Sequence, residues 1–329
     1  MTFDRREFLC GGMGAAAGGA ACAVLDPSPA EARENLTVPE NAAGLLYDST
    51  LCTGCKACQS ACKNANTLPM EDTVGGNIWE TPLELSSKTF TVIKAYKEGR
   101  AELKDQVVDG YAFIKRQCLH CIDPSCVSVC PVQAMRKDPV SGIVTHNPDA
   151  CIGCRYCVAA CPYRVPQFSY DTPFPRITKC QLCKEHLAKG DIPGCAKVCP
   201  TGATLFGDYK NLTVEIERRK AMKPGELNKF PRRTLDSGDV QERPAASYIE
   251  QVYGEKELGG TQVRYLAGIP FEKFGLPVGM PERSYAADSE TLQHKLYAGL
   301  LAPIAILAGL VTAAFRSVKH QHEDGGHHE

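Results

Sequence analysis

Three features of this 329-residue sequence predict an α+β fold held together by bound cofactors more than by a large apolar core. Sixteen of the eighteen cysteines fall into four groups of four between Cys52 and Cys199. Short extended segments punctuate those groups, and aromatic residues are few while glycine and proline are plentiful, which suits a loop-rich fold organised by metal sites. A run of twenty uncharged residues stands near the C-terminus.

The first group, Cys52, Cys55, Cys58 and Cys62, reads C-x2-C-x2-C-x3-C, and the third, Cys151, Cys154, Cys157 and Cys161, repeats it. This is the bacterial ferredoxin run. The second group, Cys118, Cys121, Cys126 and Cys130, has four residues in its middle gap, and the fourth, Cys180, Cys183, Cys195 and Cys199, has eleven. Pro131, Pro162 and Pro200 each follow a closing cysteine. Three cysteines on a tight loop wrap three corners of a [4Fe–4S] cube, and in two-cluster ferredoxins the closing cysteine ligates the other motif's cluster. Four motifs therefore predict four [4Fe–4S] clusters and a duplicated ferredoxin-like fold.

Two other uses of cysteine fit less well. Neighbours two residues apart do not easily bridge, and a chain this long needs no disulfide stapling. Structural zinc takes well-separated C-x2-C pairs, and the third closely spaced cysteine in groups one and three is surplus to that. His120, between Cys118 and Cys121, is read as a non-ligand because four cysteines already stand in its motif. Lys56, Arg155, Arg164, Lys179 and Lys184 lie in or beside the motifs. Each is read as a solvated surface charge before a tuning group.

Leu45 to Thr50 reads as an extended lead into the first motif, and Tyr111 to Lys115 as a strand entering the second. Residues 63–117 form an insertion with Trp79 and a strand or helix around Phe90 to Tyr96. It is expected to cover clusters or meet a partner. Ala134 to Lys137, the turn Asp138 to Gly142, and Ile143 to His146 make a hairpin. Gly202 to Gly207 gives the matching strand after the fourth motif. The cluster domain is placed at 33–210. Leu212 to Met222 reads as a short amphipathic helix, and 211–290 as an extended region over the cluster domain or a partner.

Arg5 and Arg6, followed by Phe8 and Leu9 and a glycine- and alanine-rich stretch to Leu25, are similar to a twin-arginine export signal. Ala30-Glu31-Ala32 offers a cleavage site, so 1–32 is read as the signal. Such export moves folded proteins, which explains how a chain loaded with clusters crosses. After residue 32 there are 35 basic and 34 acidic side chains, with no nucleic-acid footprint.

Leu296 to Phe315 carries no charge and is bounded by Lys295 and Arg316. At about 1.5 Å per residue it spans roughly 30 Å, so 291–316 is predicted as one transmembrane helix and 317–329 as a cytoplasmic tail. The histidines of that tail, His322, His327 and His328, are expected to be disordered. Ala298, Ala302, Ala305, Gly309 and Thr312 line one face, which suits docking on a polytopic membrane subunit.

The motif order resembles the four-cluster subunits of molybdopterin oxidoreductases, formate dehydrogenases and periplasmic hydrogenases. More narrowly it resembles the HybA-type ferredoxin-like subunits of membrane-bound [NiFe] hydrogenases. The likeness runs through Leu46-Tyr47-Asp48-Ser49-Thr50-Leu51-Cys52, Tyr111-Ala112-Phe113-Ile114-Lys115 and Cys126-Val127-Ser128-Val129-Cys130-Pro131-Val132. It continues in Cys154-Arg155-Tyr156-Cys157, Pro193-Gly194-Cys195, Tyr253-Gly254-Glu255-Lys256 and Gly260-Thr261-Gln262-Val263. A twin-arginine signal and a C-terminal membrane helix on one chain narrow it further.

The resemblance implies a ligand pairing. Cys52, Cys55, Cys58 and Cys199 hold the first cluster, and Cys118, Cys121, Cys126 and Cys161 the second. Cys151, Cys154, Cys157 and Cys130 hold the third, and Cys180, Cys183, Cys195 and Cys62 the fourth. It also implies hydrogenase large and small subunits as partners, a quinone-reactive membrane subunit, and a place on the periplasmic face of the bacterial inner membrane. No nucleophile or acid–base pair announces itself, so the chain is expected to be a non-catalytic electron carrier. The nearer alternative is the beta subunit of a formate dehydrogenase or another molybdopterin enzyme. The further one is a cluster-bearing assembly or sensor protein, against which four clusters argue.

Overall fold

The computed structural model describes residues 33–71, 81–173 and 175–324, without the side chains of 295, 298, 300–302 and 317–324. The expected export signal, Trp79 and the end of the histidine tail lie outside the described residues.

Residues Glu34–Ala286 form one compact unit. Its centre is strand β1 (Ala43–Asp48), buried on both faces. Alternation sends Leu45 and Tyr47 into the main core with the cysteines, and Leu46 into a second cluster with Leu205, Leu212, Ile216, Val252 and Leu266. β1 pairs antiparallel with β9 (Thr204–Asp208), Leu46 facing Leu205. On its other edge it pairs in parallel with β13 (Val263–Leu266), Tyr47 facing Tyr265. The backbones come close here. A Cβ on Gly44 would stand 2.9 Å from the Gln262 carbonyl. Strand β11 (Arg233–Thr234) completes this sheet beside β9.

The insertion forms its own three-stranded sheet of β2 (Val92–Lys97), β4 (Gly110–Arg116) and β3 (Leu103–Lys104). It is tied to the first motif's helix, α1 (Ala57–Ala65). Ile93 N–H donates to Gln59 Oε1 at 3.0 Å, and Lys63 Nζ donates to Thr89 Oγ1 and the Lys88 carbonyl at 2.8 and 2.9 Å. Tyr47 Oη reaches the Phe113 carbonyl at 3.0 Å, binding this sheet to the central one.

The second and third motifs carry the one-turn helices α2 (Ser125–Ser128) and α3 (Tyr156–Ala160). Between them runs the expected hairpin, β5 (Met135–Lys137) against β6 (Val144–His146). The small ladder β7 (Gln167–Phe168) and β8 (Ile177–Thr178) follows the third motif. Helices α4 (Lys184–Leu187) and α5 (Gly194–Lys197) flank the long gap of the fourth.

Helix α6 (Tyr209–Lys220) starts where Asp208 accepts the Lys210 and Asn211 N–H groups at 2.9 and 3.3 Å. Leu212, Glu215, Ile216 and Arg219, at helical spacing, form its buried face. Burial of Leu212 and Ile216 contributes about 1.5–3 kcal/mol each. Arg219 is fully buried, its Nη1 2.8 Å from Asp48 Oδ2 and its Nε 2.7 Å from Glu215 Oε1. Tyr248 Oη gives Asp48 a further hydrogen bond at 2.7 Å.

The stretch expected to run over the surface from residue 211 instead completes the core. Its hairpin of β10 (Leu227–Pro231) and β12 (Val240–Pro244) places Phe230 at full burial. Tyr253, Tyr265 and Phe271 are also buried, Tyr253 stacking on Tyr265 with centroids 6.0 Å apart. Proline and glycine punctuation hid this, because the turns separate short apolar segments that each add one or two side chains to the centre.

Helix α7 (Tyr285–Asp324) runs on through the expected span and contains Pro303. Among the described residues, no helix is long and apolar enough to cross a membrane. Five side chains of the expected span 291–316, at 295, 298 and 300–302, are outside that description. Residues 303–316 are exposed, including Ile304, Ile306, Leu307, Leu310, Val311 and Phe315.

Candidate iron–sulfur centres

One backbone device recurs in all four motifs. The residue before the second cysteine is left-handed in each, with φ of 70° at Gly54, 49° at His120, 70° at Gly153 and 53° at Leu182. In the first and third motifs Lys56 and Arg155 follow at 60° and 64°. Glycine adopts this conformation without strain, whereas leucine and histidine do so at a cost.

A second device follows the closing cysteine. Gln133, Arg164 and Gly202, three residues after Cys130, Cys161 and Cys199, are left-handed at 52°, 54° and 64°. Each turn brings a backbone N–H onto sulfur. Ala134 N lies 3.2 Å from Cys130 Sγ, Val165 N 3.5 Å from Cys161 Sγ, and Thr204 N 3.4 Å from Cys199 Sγ. Gly54 N and Leu182 N do the same for Cys52 and Cys180, each at 3.4 Å.

The cysteines gather across motifs. Cys52, Cys55 and Cys58 line one cavity with Cys199, between Tyr47, Ile93 and Thr204. Cys62 lines another with Cys180, Cys183 and Cys195. Cys130 shares a third with Cys151, Cys154 and Cys157. Cys118, Cys121, Cys126 and Cys161 form the remaining set. Burial pushes the Cys121 thiol up, and Cys161, Cys126 and Cys118 push it further.

The sets also feel their neighbours. After its own burial and the opposing charge of Lys115, Cys58 is raised by Cys195, and it stands at about 12. Cys180, also pushed up to about 12, has burial and then Cys118 as its causes. Cys126 is raised by burial and, more weakly, by Cys157 of the third set. The sets therefore follow one another in the order first, fourth, second, third. Among the described cysteines, Cys55 and Cys154 are the exposed ones, and they belong to the two ends of that row.

None of the sixteen described cysteines is joined in a disulfide. Burial, followed by neighbouring sulfurs, holds Cys157 at about 11, and burial holds Cys161 at about 11. Bare thiols in such places keep their protons at neutral pH, and cations among them are what make thiolates favourable. Among the described residues, no three His, Cys, Asp or Glu side chains are placed to hold a single metal ion. A cluster is larger than an ion, so its ligands stand farther apart. All-sulfur sets around cavities, with N–H groups aimed at the sulfurs, fit [4Fe–4S] clusters.

The basic residues do not all sit where the sequence suggested. Arg164 is exposed, and Arg155 lies over the Phe168 ring at 5.4 Å. Lys179 is 2% exposed, a correction to its reading as a surface charge, because the β6 carbonyl of Val144 and the Cys180 carbonyl hold it inside. Lys115, near the end of β4, is a further basic residue beside the sulfurs. It is fully buried, 3.5 Å from Thr204 Oγ1. Burial opposes its charge, yet Cys195 and Cys58 hold its pKa above the usual lysine value. The available signal was a lysine closing an apolar strand three residues before Cys118.

Known proteins agree with this chemistry. The 4Fe-4S dicluster domain family matches residues 110–209. The hydrogenase-2 operon protein HybA of Escherichia coli O157:H7 is 44% identical over 327 residues, 98% of each chain. The formate dehydrogenase-O iron-sulfur subunit of Escherichia coli K12 is 34% identical over 272 residues, 82% of this chain and 79% of its own. Protein NrfC of the same strain is 36% identical over 227 residues, 68% of this chain and 88% of its own. A relative this similar, end to end, places the chain in the family of 4Fe-4S iron–sulfur proteins to which HybA belongs.

Proposed function

We propose that this chain is the electron-transfer subunit of a membrane-bound hydrogenase, holding four [4Fe–4S] clusters. The observation that carries the reading is the row of four thiol sets, each drawing its fourth cysteine from a second motif. When bound, a cluster supplies one-electron transfer. The chain's own residues fix the thiolates, exclude water with Tyr47, Ile93, Met135 and Ile177, and donate N–H groups to sulfur.

The name of the HybA relative supports a hydrogenase as the catalytic partner. Electrons then pass between the hydrogenase large and small subunits and a quinone-reactive membrane subunit, through the exposed ends at Cys55 and Cys154. The uncharged run 296–315 supports a single-pass anchor, with the cluster unit on the periplasmic side after export through the twin-arginine machinery and the tail from 317 in the cytoplasm. The formate dehydrogenase relative supports a second reading, a molybdopterin-enzyme subunit. Metal analysis of the complex that co-purifies with this chain from detergent-solubilised membranes separates the two. Nickel is expected; molybdenum or tungsten without nickel would replace the hydrogenase with the second reading.

A further inference from the structure

His120 occupies the left-handed position that glycine fills in the first and third motifs, and its side chain is fully buried. A residue held at such a cost invites the question of what its side chain does. Val144 N–H donates to His120 Nδ1 at 3.1 Å. A ring nitrogen that accepts carries no proton, so the imidazole is neutral with its hydrogen on Nε2. That Nε2 lies 3.9 Å from Cys180 Sγ, in the fourth set, although His120 itself belongs to the second motif.

Lys179 makes the reverse crossing. It precedes Cys180 of the fourth motif, and its Nζ lies 4.0 Å from Cys118 Sγ of the second. The Val144 carbonyl and the Cys180 carbonyl hold it there. One peptide strand thus aims both groups: the Val144 N–H orients the histidine, and its carbonyl anchors the lysine.

We propose that His120 and Lys179 form a crossed bridge at the junction of the second and fourth sets, each tuning the cluster of the other's motif. His120 raises the potential of the cluster held by Cys180, and Lys179 raises that of the cluster held by Cys118. Reduction adds negative charge to a cluster, so a hydrogen bond to its sulfur or a nearby cation favours the reduced form. Both are positioning residues. The junction is where the row passes from the first and fourth motifs to the second and third, so the bridge raises both potentials on either side of that step.

The inference rests on the four-cluster reading, and the experiment separates the two. EPR-monitored redox titration of the purified complex is run on His120→Phe, His120→Gln, Lys179→Met and Lys179→Arg, with iron content measured on each sample. Signals are assigned with Cys118→Ser and Cys180→Ser. His120→Phe is expected to lower the potential of the Cys180 cluster by a factor of about ten in the one-electron equilibrium, about 59 mV. Lys179→Met is expected to shift chiefly the Cys118 cluster by a similar amount. His120→Gln and Lys179→Arg, which keep a donor, return toward the wild-type values. Full iron with unmoved potentials, or a His120→Phe shift confined to the Cys118 cluster, overturns the bridge. A wild-type complex without the iron overturns the cluster reading beneath it. If His120→Phe loses its clusters, Lys179→Met decides by the same crossed rule.

Discussion

Cys130 closes the second cysteine motif, yet it shares a cavity with Cys157 of the third. Two backbone N–H groups from the turn after it, Ala134 and Met135, point at its sulfur at 3.2 and 3.4 Å. The sulfur is thereby fixed toward its neighbour's motif by local chain geometry.

Serine at Cys130 should therefore alter the cluster of Cys151, Cys154 and Cys157 and leave that of Cys118, Cys121 and Cys126 intact. EPR spectra of the reduced variant test this. A change confined to the second motif's cluster contradicts the crossed pairing.

Lys115 stands where Cys58 of the first set and Cys195 of the fourth both act on it. Replacing it with methionine keeps the bulk and removes the charge. Both neighbouring clusters are then expected to become harder to reduce, while the third set's cluster keeps its potential. Potentiometric titration reads the shift directly.

Arg219, Asp48 and Glu215 form a buried ion network under the central sheet, roofed by Phe230 at 5.3 Å from the guanidinium carbon. Arg219→Ala leaves the buried Asp48 carboxylate without its cationic partner and should cost about 3–5 kcal/mol, seen as a lower unfolding midpoint. Burial alone would raise the Glu215 carboxyl, but Arg218 and Arg219 together hold it below the usual carboxylate range. Its stabilisation is therefore present above its unfolded value, about 4.3, and is lost as pH falls through the lower folded value. Glu215→Gln should flatten that part of the acid stability profile.

An arginine at Leu310, in the exposed apolar stretch of α7, should release the chain from membranes. A charge costs about 2.5–3.5 kcal/mol at the centre of a spanning helix on insertion scales, and less at a position five residues from its end such as Leu310. Fractionation of cells carrying Leu310→Arg checks this. Undiminished membrane association would remove the helix as the anchor.

Much of the site was legible in the sequence because its chemistry is local. Cysteine spacing sets the loops, and the hairpin between the second and third motifs follows from its turn residues. What escaped was set by long-range packing. Val263–Leu266 is a short strand interrupted by Arg264, and its place beside β1 depends on a backbone approach at Gly44 that no local pattern announces. Lys115 and Lys179 resemble surface lysines in sequence; neighbouring sulfurs explain the burial of the first, and the carbonyls of Val144 and Cys180 that of the second. His120 was set aside as a ligand, and the structure gives it a partner in a different motif.

The central claim is that sixteen cysteines hold four cubane clusters, and counting iron and acid-labile sulfide per chain, with Mössbauer spectra on the same sample, tests it most directly. About sixteen irons and as many sulfides are expected, all in [4Fe–4S] form. Half that number, or zinc in place of iron, would contradict it.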